Sequence, residues 1–266
     1  MLPKGASSPR FRGAGRGTAW GVWLSLVAGC VLSPSAEATA LPSLRANASG
    51  DRLSVLQGRF RRTLVDQAVC DTQTVVGSFA YVVHGRVRLT VETPLRQELC
   101  VDDQGLLIYY PDEQRALQVL DPRQALAFRF VQIAHRSSLP DFDLGAAGAT
   151  LIDYASRGDT LETRWAGPTS TPWRDQQFVL VAVGSRLVHA TQTLADGTPV
   201  MDIELLDHVV LDGIEIPQRF TLREHGPSGE RIEVVQFWEL RVNQTSPDSI
   251  GPLNPPDAVK PVSVEW

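Results

Sequence analysis

From Thr72 onward the apolar and polar positions alternate with a period of two. Val75, Gly77, Phe79, Tyr81 and Val83 fall on one face. Beyond the turn at Gly85, Val87, Leu89 and Val91 alternate with Arg86, Arg88, Thr90 and Glu92. Such alternation marks a strand with one buried face, so the two runs predict a hairpin. Glu98–Val101 and Leu106–Tyr110 flank the turn Asp102-Asp103-Gln104-Gly105, and Arg115–Leu120 follows a turn at Pro111-Asp112. Past residue 149 come seven more runs: Thr150–Tyr154, Thr160–Trp165, Gln177–Val183, Arg186–Thr193, Val200–Leu211, Ile214–Arg223 and Arg231–Val242. Gly, Pro and Asp-Gly turns separate them. In the last run Ile232, Val234, Gln236, Trp238, Leu240 and Val242 should share one face, with Glu233, Val235, Phe237, Glu239 and Arg241 on the other.

Two stretches read as helix instead. Ser49 or Asp51 can cap a segment in which Leu53, Leu56, Phe60 and Leu64 recur at three- and four-residue spacing, with Arg52, Arg59, Arg61 and Arg62 elsewhere. A second begins with Asp121 as cap and Pro122 at the first helical position, and buries Leu126, Phe130 and Ile133, while Phe128, Val131 and Ala134 widen its apolar side. Pro140 and Gly145–Gly148 make a loop. The tail from Ser246, with four of the 18 prolines between Pro247 and Pro256, should run as an extended surface strap. The order of strands and helices without βαβ alternation predicts an α+β fold, mainly β: a single curved antiparallel sheet wrapped around helices. Either the helices fill the curve or a cavity remains.

The first 40 residues change the picture of where this domain works. Lys4, Arg10, Arg12 and Arg16 precede an apolar run from Ala19 to Leu32, followed by Pro34 and a small-residue segment ending at Ala40. This is the form of an export signal, and about 14 apolar positions are too few for a span that needs roughly 20. Val27-Ala28-Gly29-Cys30 also fits a lipobox, so soluble export and lipidation at Cys30 are two readings of one leader. Residues 41–266 then form a single domain with 21 basic and 29 acidic residues, net charge -8. Its acidity and the absence of a basic stripe exclude nucleic acid as a partner. Composition is that of a folded globular chain, 43% hydrophobic and 21% charged. Cys70 and Cys100 are the two remaining cysteines, and in an oxidising compartment they are expected to form a disulfide.

The residues also carry a resemblance. Leu53 through Phe60, Gly77-Ser78-Phe79-Ala80-Tyr81, Arg88, Pro94, Val101–Tyr110 and Gln114 resemble the LolA-like family of periplasmic outer-membrane lipoprotein carriers. That family opens with an amphipathic helix, continues with a Gly-led strand and a Pro between strands, and has a hairpin of the form apolar-x-Asp-Gly-x-x-apolar-aromatic-Tyr. The match is best over residues 50–120; later, only the strand-rich pattern and the closing Arg241-Val242-Asn243 are similar. The resemblance implies an unclosed β-barrel with helices as a lid over an apolar cavity. It implies a periplasmic protein that takes up acyl chains of a lipoprotein or another lipid and ferries them toward the outer membrane. Its partners would be an inner-membrane donor complex and an outer-membrane acceptor. Lipid-sensing regulators share the fold. Where the family has an Arg-Pro pair in its first long strand, this chain has Val83 and His84, so the lid-latching arginine has no counterpart there.

Catalytic readings find little support. His84, His135, His189, His208 and His225 show no metal-binding spacing, Asp102 and Asp103 sit where a turn asks for them, and Asp141-Phe142-Asp143 lacks the further ligands of a calcium loop. No nucleophile elbow or phosphate-binding glycine loop occurs. A monomeric non-enzyme without metal or cofactor is expected. Its candidate cavity residues are Leu56, Phe60, Phe79, Tyr81, Leu89, Val91, Ile108, Tyr110, Leu126, Phe130 and Ile133. A different class of function, an envelope carbohydrate-binding module, would use Trp165, Trp173, Trp238, Phe178 and Phe237 as a sugar platform, against ordinary core packing for the same residues.

Overall fold

The computed structural model describes residues 53–83, 85–102, 105–119, 129–168, 175–227 and 229–264. The leader with Cys30, the cap and first turns expected at Asp121–Leu126, His84 and Trp173 lie outside the described residues. Six strands come first: β1 (Val55–Asp66), β2 (Asp71–Val82), β3 (Val87–Thr93), β4 (Gln97–Asp102), β5 (Gly105–Tyr110) and β6 (Arg115–Val119). One helix follows, α1 (Arg129–Arg136). Seven strands succeed it: β7 (Thr150–Arg157), β8 (Thr160–Ala166), β9 (Gln176–Val183), β10 (Arg186–Leu194), β11 (Pro199–Leu211), β12 (Ile214–Gly226) and β13 (Gly229–Val242). A 3-10 turn at Pro247–Ser249 and β14 (Val262–Val264) end the chain.

All fourteen strands belong to one unclosed sheet, in the order β14-β6-β5-β4-β3-β2-β1-β13-β12-β11-β10-β9-β8-β7. Every pairing is antiparallel except β14 on β6. The chain therefore starts in the middle, walks to one edge and returns from the other until β13 closes against β1. Between β6 and β7 it must cross almost the whole sheet. That crossing carries α1 and the turns of residues 137–149 over one face, here called the inner face, where the main core lies.

The first expected helix is instead β1. Leu56, Phe60 and Leu64 are four residues apart, and a spacing of four is also two full alternations of a strand, so these marks fit both periods. The positions between them decide. Gly58 faces inward beside Phe79 and Leu240, where a Cβ would lie 2.8 Å from the Leu240 side chain, and Arg62 faces inward to meet Glu233. Glycine is a poor helix former, and an inward arginine removes the helical apolar stripe. The lid is thus a single described helix. The other strands lie close to their predicted bounds, with one change in β13: a bulge at Glu239, whose φ is +53°, sits where the β1 register shifts between Gln57 and Arg59. It moves Leu240 and Val242 to the same face as Val235 and Phe237.

The expected disulfide is absent. Cys70 is exposed in the β1–β2 turn, and Cys100 is buried in β4 on the outer face; both are free. Cys100 pairs with Arg88 and Arg88 with Ala80, so the two sulfurs are separated by the length of β2, roughly 30 Å at about 3.3 Å per residue. A bridge needs Cα atoms within about 7 Å. The tail does form a strap. Leu253 and Val259 cover Cys100, Tyr109 and Ala116 on the outer face, and Arg86 Nη1 donates to the Ile250 carbonyl at 2.6 Å. Its last residues add β14, which the proline pattern did not predict.

Candidate functional site

Alternation sends one set of side chains from each strand to the inner face. Leu56, Phe60, Phe79, Tyr81, Leu89 and Val91 from β1–β3 join Phe130 and Ile133 of α1 in one buried cluster. Ile108 and Tyr110 share that face on β5 but remain half-buried, with Arg115 over the Tyr110 ring. Leu126 lies outside the described residues. The sheet and helix thus bring the described candidate cavity residues to a single face. Among the described residues the buried side chains of this set pack against one another in one core cluster.

An aromatic cluster fills the centre. The Phe130 ring lies 4.7 Å from that of Phe60 and 6.0 Å from that of Phe237, and Phe79 meets Phe237 edge-on at 5.5 Å. These are favourable offset and edge geometries. Among the described residues a pocket of about 30 Å³ lies under the 137–149 turns, bounded by Phe142, Leu144, Ala147, Phe178, Leu180 and Met201. That holds about two waters. An acyl chain does not fit it.

Beside the aromatic cluster lies a group of charges. Arg62 of β1 donates from Nε and Nη2 to the two oxygens of Glu233, at 2.8 and 3.1 Å. Arg129, the first residue of α1, donates from Nη1 to Glu224 of β12 at 2.6 Å and reaches Glu233 at 3.6 Å. Arg231 of β13 approaches Glu224 at 4.0 Å. Burial works to raise the Glu224 carboxyl, but the hydrogen bond from Arg129 and the charges of Arg129, Arg231 and Arg62 outweigh it and hold it below the usual range. These pairs fasten the start of α1 to the sheet. At the other end of the helix Arg136 lies 3.7 Å from Asp143, and burial holds its guanidinium below the ordinary arginine range.

Sequence reasoning missed Arg62, Arg129, Glu224 and Glu233. Arg62 had been assigned to the polar side of a helix, and its partner is 171 residues away. The one local hint was a charge between apolar neighbours, Arg129 between Phe128 and Phe130 and Glu233 between Ile232 and Val234, which marks the residues but not their pairing.

No protein-family model matches the sequence, and no curated protein matches it. Among solved structures, LolA superfamily protein NE2245 from Nitrosomonas europaea superposes with a TM-score of 0.53 at 13% identity, over 79% of this chain and 97% of that one. The fold is LolA-like. A DUF1329 family protein from Desulfovibrio piger gives the same TM-score of 0.53 at 10% identity, over 78% of this chain and 93% of that one.

Within this LolA-like fold the described aromatic residues considered for sugar are split between the two faces of the sheet. Trp165 and Phe178 are buried on the inner face of β8 and β9, with the Trp165 indole donating to Thr163 Oγ1 at 3.0 Å. Trp238 lies on the outer face beneath Arg59. Among the described residues no three His, Cys, Asp or Glu side chains gather as metal ligands. The inner face is a packed apolar core bordered by paired charges.

Proposed function

We propose that this protein is a cell-envelope carrier that receives the acyl chains of a lipoprotein or other lipid on the inner face of its sheet and hands them toward the outer membrane. An inner-membrane donor and an outer-membrane acceptor would load and unload it. Export by the leader of residues 1–40 is part of this reading, with acylation of Cys30 as the competing route; Cys30→Ser separates them by whether a soluble mature form still appears.

One observation carries the proposal: among the described residues the inner face is covered by an eight-residue helix and turns, and not by a second layer of sheet. Such a plug can be exchanged. The large apolar side chains of α1, Phe130, Val131 and Ile133, gain about 5–9 kcal/mol from burial at about 1.5–3 kcal/mol each. An acyl chain with about 14 methylenes gains roughly 11 kcal/mol at about 0.8 kcal/mol each. Lipid can thus replace the apolar side chains of α1 at little net cost while Arg129 stays paired to Glu224, which a carrier that must both load and unload requires. The LolA-like fold agrees with this reading at the level of architecture.

The test is equilibrium binding of a fluorescent fatty acyl probe to the purified mature protein. Binding at micromolar Kd or tighter, about -8 kcal/mol, is expected, and Phe79→Asp should abolish it. A well-folded sample that binds no probe ends the carrier reading.

A further inference from the structure

We infer that Arg62, Arg129 and Arg231 anchor the oxyanion head of an amphiphile whose chain lies on the inner face. This rests on the carrier reading and names the chemistry of the ligand's polar end. Three elements, β1, α1 and β13, each turn an arginine toward the same spot, where Glu224 and Glu233 are the carboxylates that pair with them. Those two carboxylates leave donors unanswered. The Nε atoms of Arg129 and Arg231 are shielded from solvent and have no hydrogen-bond acceptor among the described residues.

Arg231 is the least engaged of the three. Among the described residues its nearest ion-pair partner is Glu224 at 4.0 Å, too long for a hydrogen bond. Asp66 stands opposite it in register, but the Asp66 carboxylate accepts the Ala68 amide at 3.0 Å and makes no ion pair with Arg231. A guanidinium presents donors in a planar fork that matches carboxylates and phosphates. Desolvated donors without acceptors are costly, and an incoming oxyanion would satisfy them.

The apolar part of the ligand would start where the charge ends. The Arg62 guanidinium lies 6.0 Å from the centre of the Phe130 ring, so the anchor adjoins the aromatic cluster directly. The four charged side chains Arg62, Arg129, Glu224 and Arg231 keep between 15% and 26% of their surface exposed, which leaves the spot open to an arriving head group. The ligand class is therefore an apolar chain with an oxyanion head: a fatty-acid carboxylate or a phospholipid phosphodiester.

The experiment compares a fluorescent polyene fatty acid with its own methyl ester on the full mature chain, wild type, Arg231→Gln and Arg231→Lys, with thermal unfolding to establish that each variant is folded. The acid should bind at least tenfold tighter than the ester to the wild type, Arg231→Gln should bring that ratio to about one, and Arg231→Lys should retain part of it. Displacement of the acid by lysophosphatidylglycerol assigns the phosphodiester source; failure of that displacement restricts the class to carboxylates. Displacement by inorganic phosphate at the same concentration would overturn the proposal in favour of a plain anion site. Equal binding of acid and ester to the wild type would overturn the anchor while leaving the carrier reading intact, and binding of neither would overturn both.

Discussion

Glu233, only 2% exposed, is held by two hydrogen bonds from Arg62, a residue 171 positions earlier in the chain. The pair joins β1 to β13, the first and last long strands, which lie side by side in the middle of the sheet. A buried ion pair adds little net stability over apolar residues of the same volume, but removing one partner leaves the other uncompensated. Arg62→Ala should therefore lower the unfolding free energy by about 3–5 kcal/mol in urea titration. The double variant Arg62→Leu with Glu233→Leu should recover most of that loss.

Gly77 gives a second stability prediction. At the register shift between β2 and β3 a Cβ on Gly77 would sit 2.1 Å from the Thr90 carbonyl oxygen. Neither backbone can yield there without breaking pairing, so Gly77→Ala should cost at least about 1–3 kcal/mol by denaturant unfolding. Gly58→Ala meets the tip of the Leu240 side chain instead, which can rotate away, and should cost less.

The two cysteines should differ in reactivity. Cys70 is exposed, whereas burial beneath the strap raises the Cys100 thiol above its ordinary range, which lowers its thiolate fraction. In the folded, non-reduced protein one thiol should react promptly with a maleimide and the second only after unfolding. Two prompt thiols would mean that the strap does not cover β4.

Acid should weaken the fold in two stages. His208 Nε2–H donates to the Leu187 carbonyl at 3.0 Å, and burial lowers the pKa of the ring. A histidine whose folded pKa lies below its unfolded value of about 6.5 makes the unfolded chain bind more protons, so stability falls as pH drops below about 6.5. Glu224, also depressed, contributes stability above its unfolded pKa of about 4.3 that is lost as pH falls through the lower folded value. Unfolding free energy measured from pH 8 to 3 should decline in both windows, and His208→Gln should flatten the first.

Most of the sheet was legible because the runs after residue 149 alternate over most of their length and end at turn residues, with breaks where the register shifts, as between Leu151 and Asp153 and between Leu187 and His189. The inner-face assignment of Phe79 and Leu89 followed from alternation in β2 and β3, and that of Phe130 from the helical spacing of Phe130 and Ile133. Two things were hidden. A four-residue spacing in β1 satisfies both helix and strand, and the fact that Gly58 and Arg62 point inward emerges only once β13 and β2 are paired with it. The bulge at Glu239 broke the period-two bookkeeping of β13, placing Leu240 and Val242 on the face opposite to the one they occupy. The charged group was illegible for a related reason: it joins β1, α1, β12 and β13, and no local pattern encodes pairing over such separations.

The central claim is that acyl chains occupy the inner face where Phe130, Val131 and Ile133 of α1 now pack. The most direct measurement is photolabelling of the mature protein with a fatty acyl chain carrying a terminal diazirine, followed by peptide mapping of the adducts. The account predicts adducts on inner-face residues such as Phe79, Leu89 and Phe237, together with faster hydrogen exchange in α1 when the chain is bound. Adducts confined to outer-face positions such as Trp238 or Ile232, or exchange in α1 unchanged by saturating lipid, would contradict it.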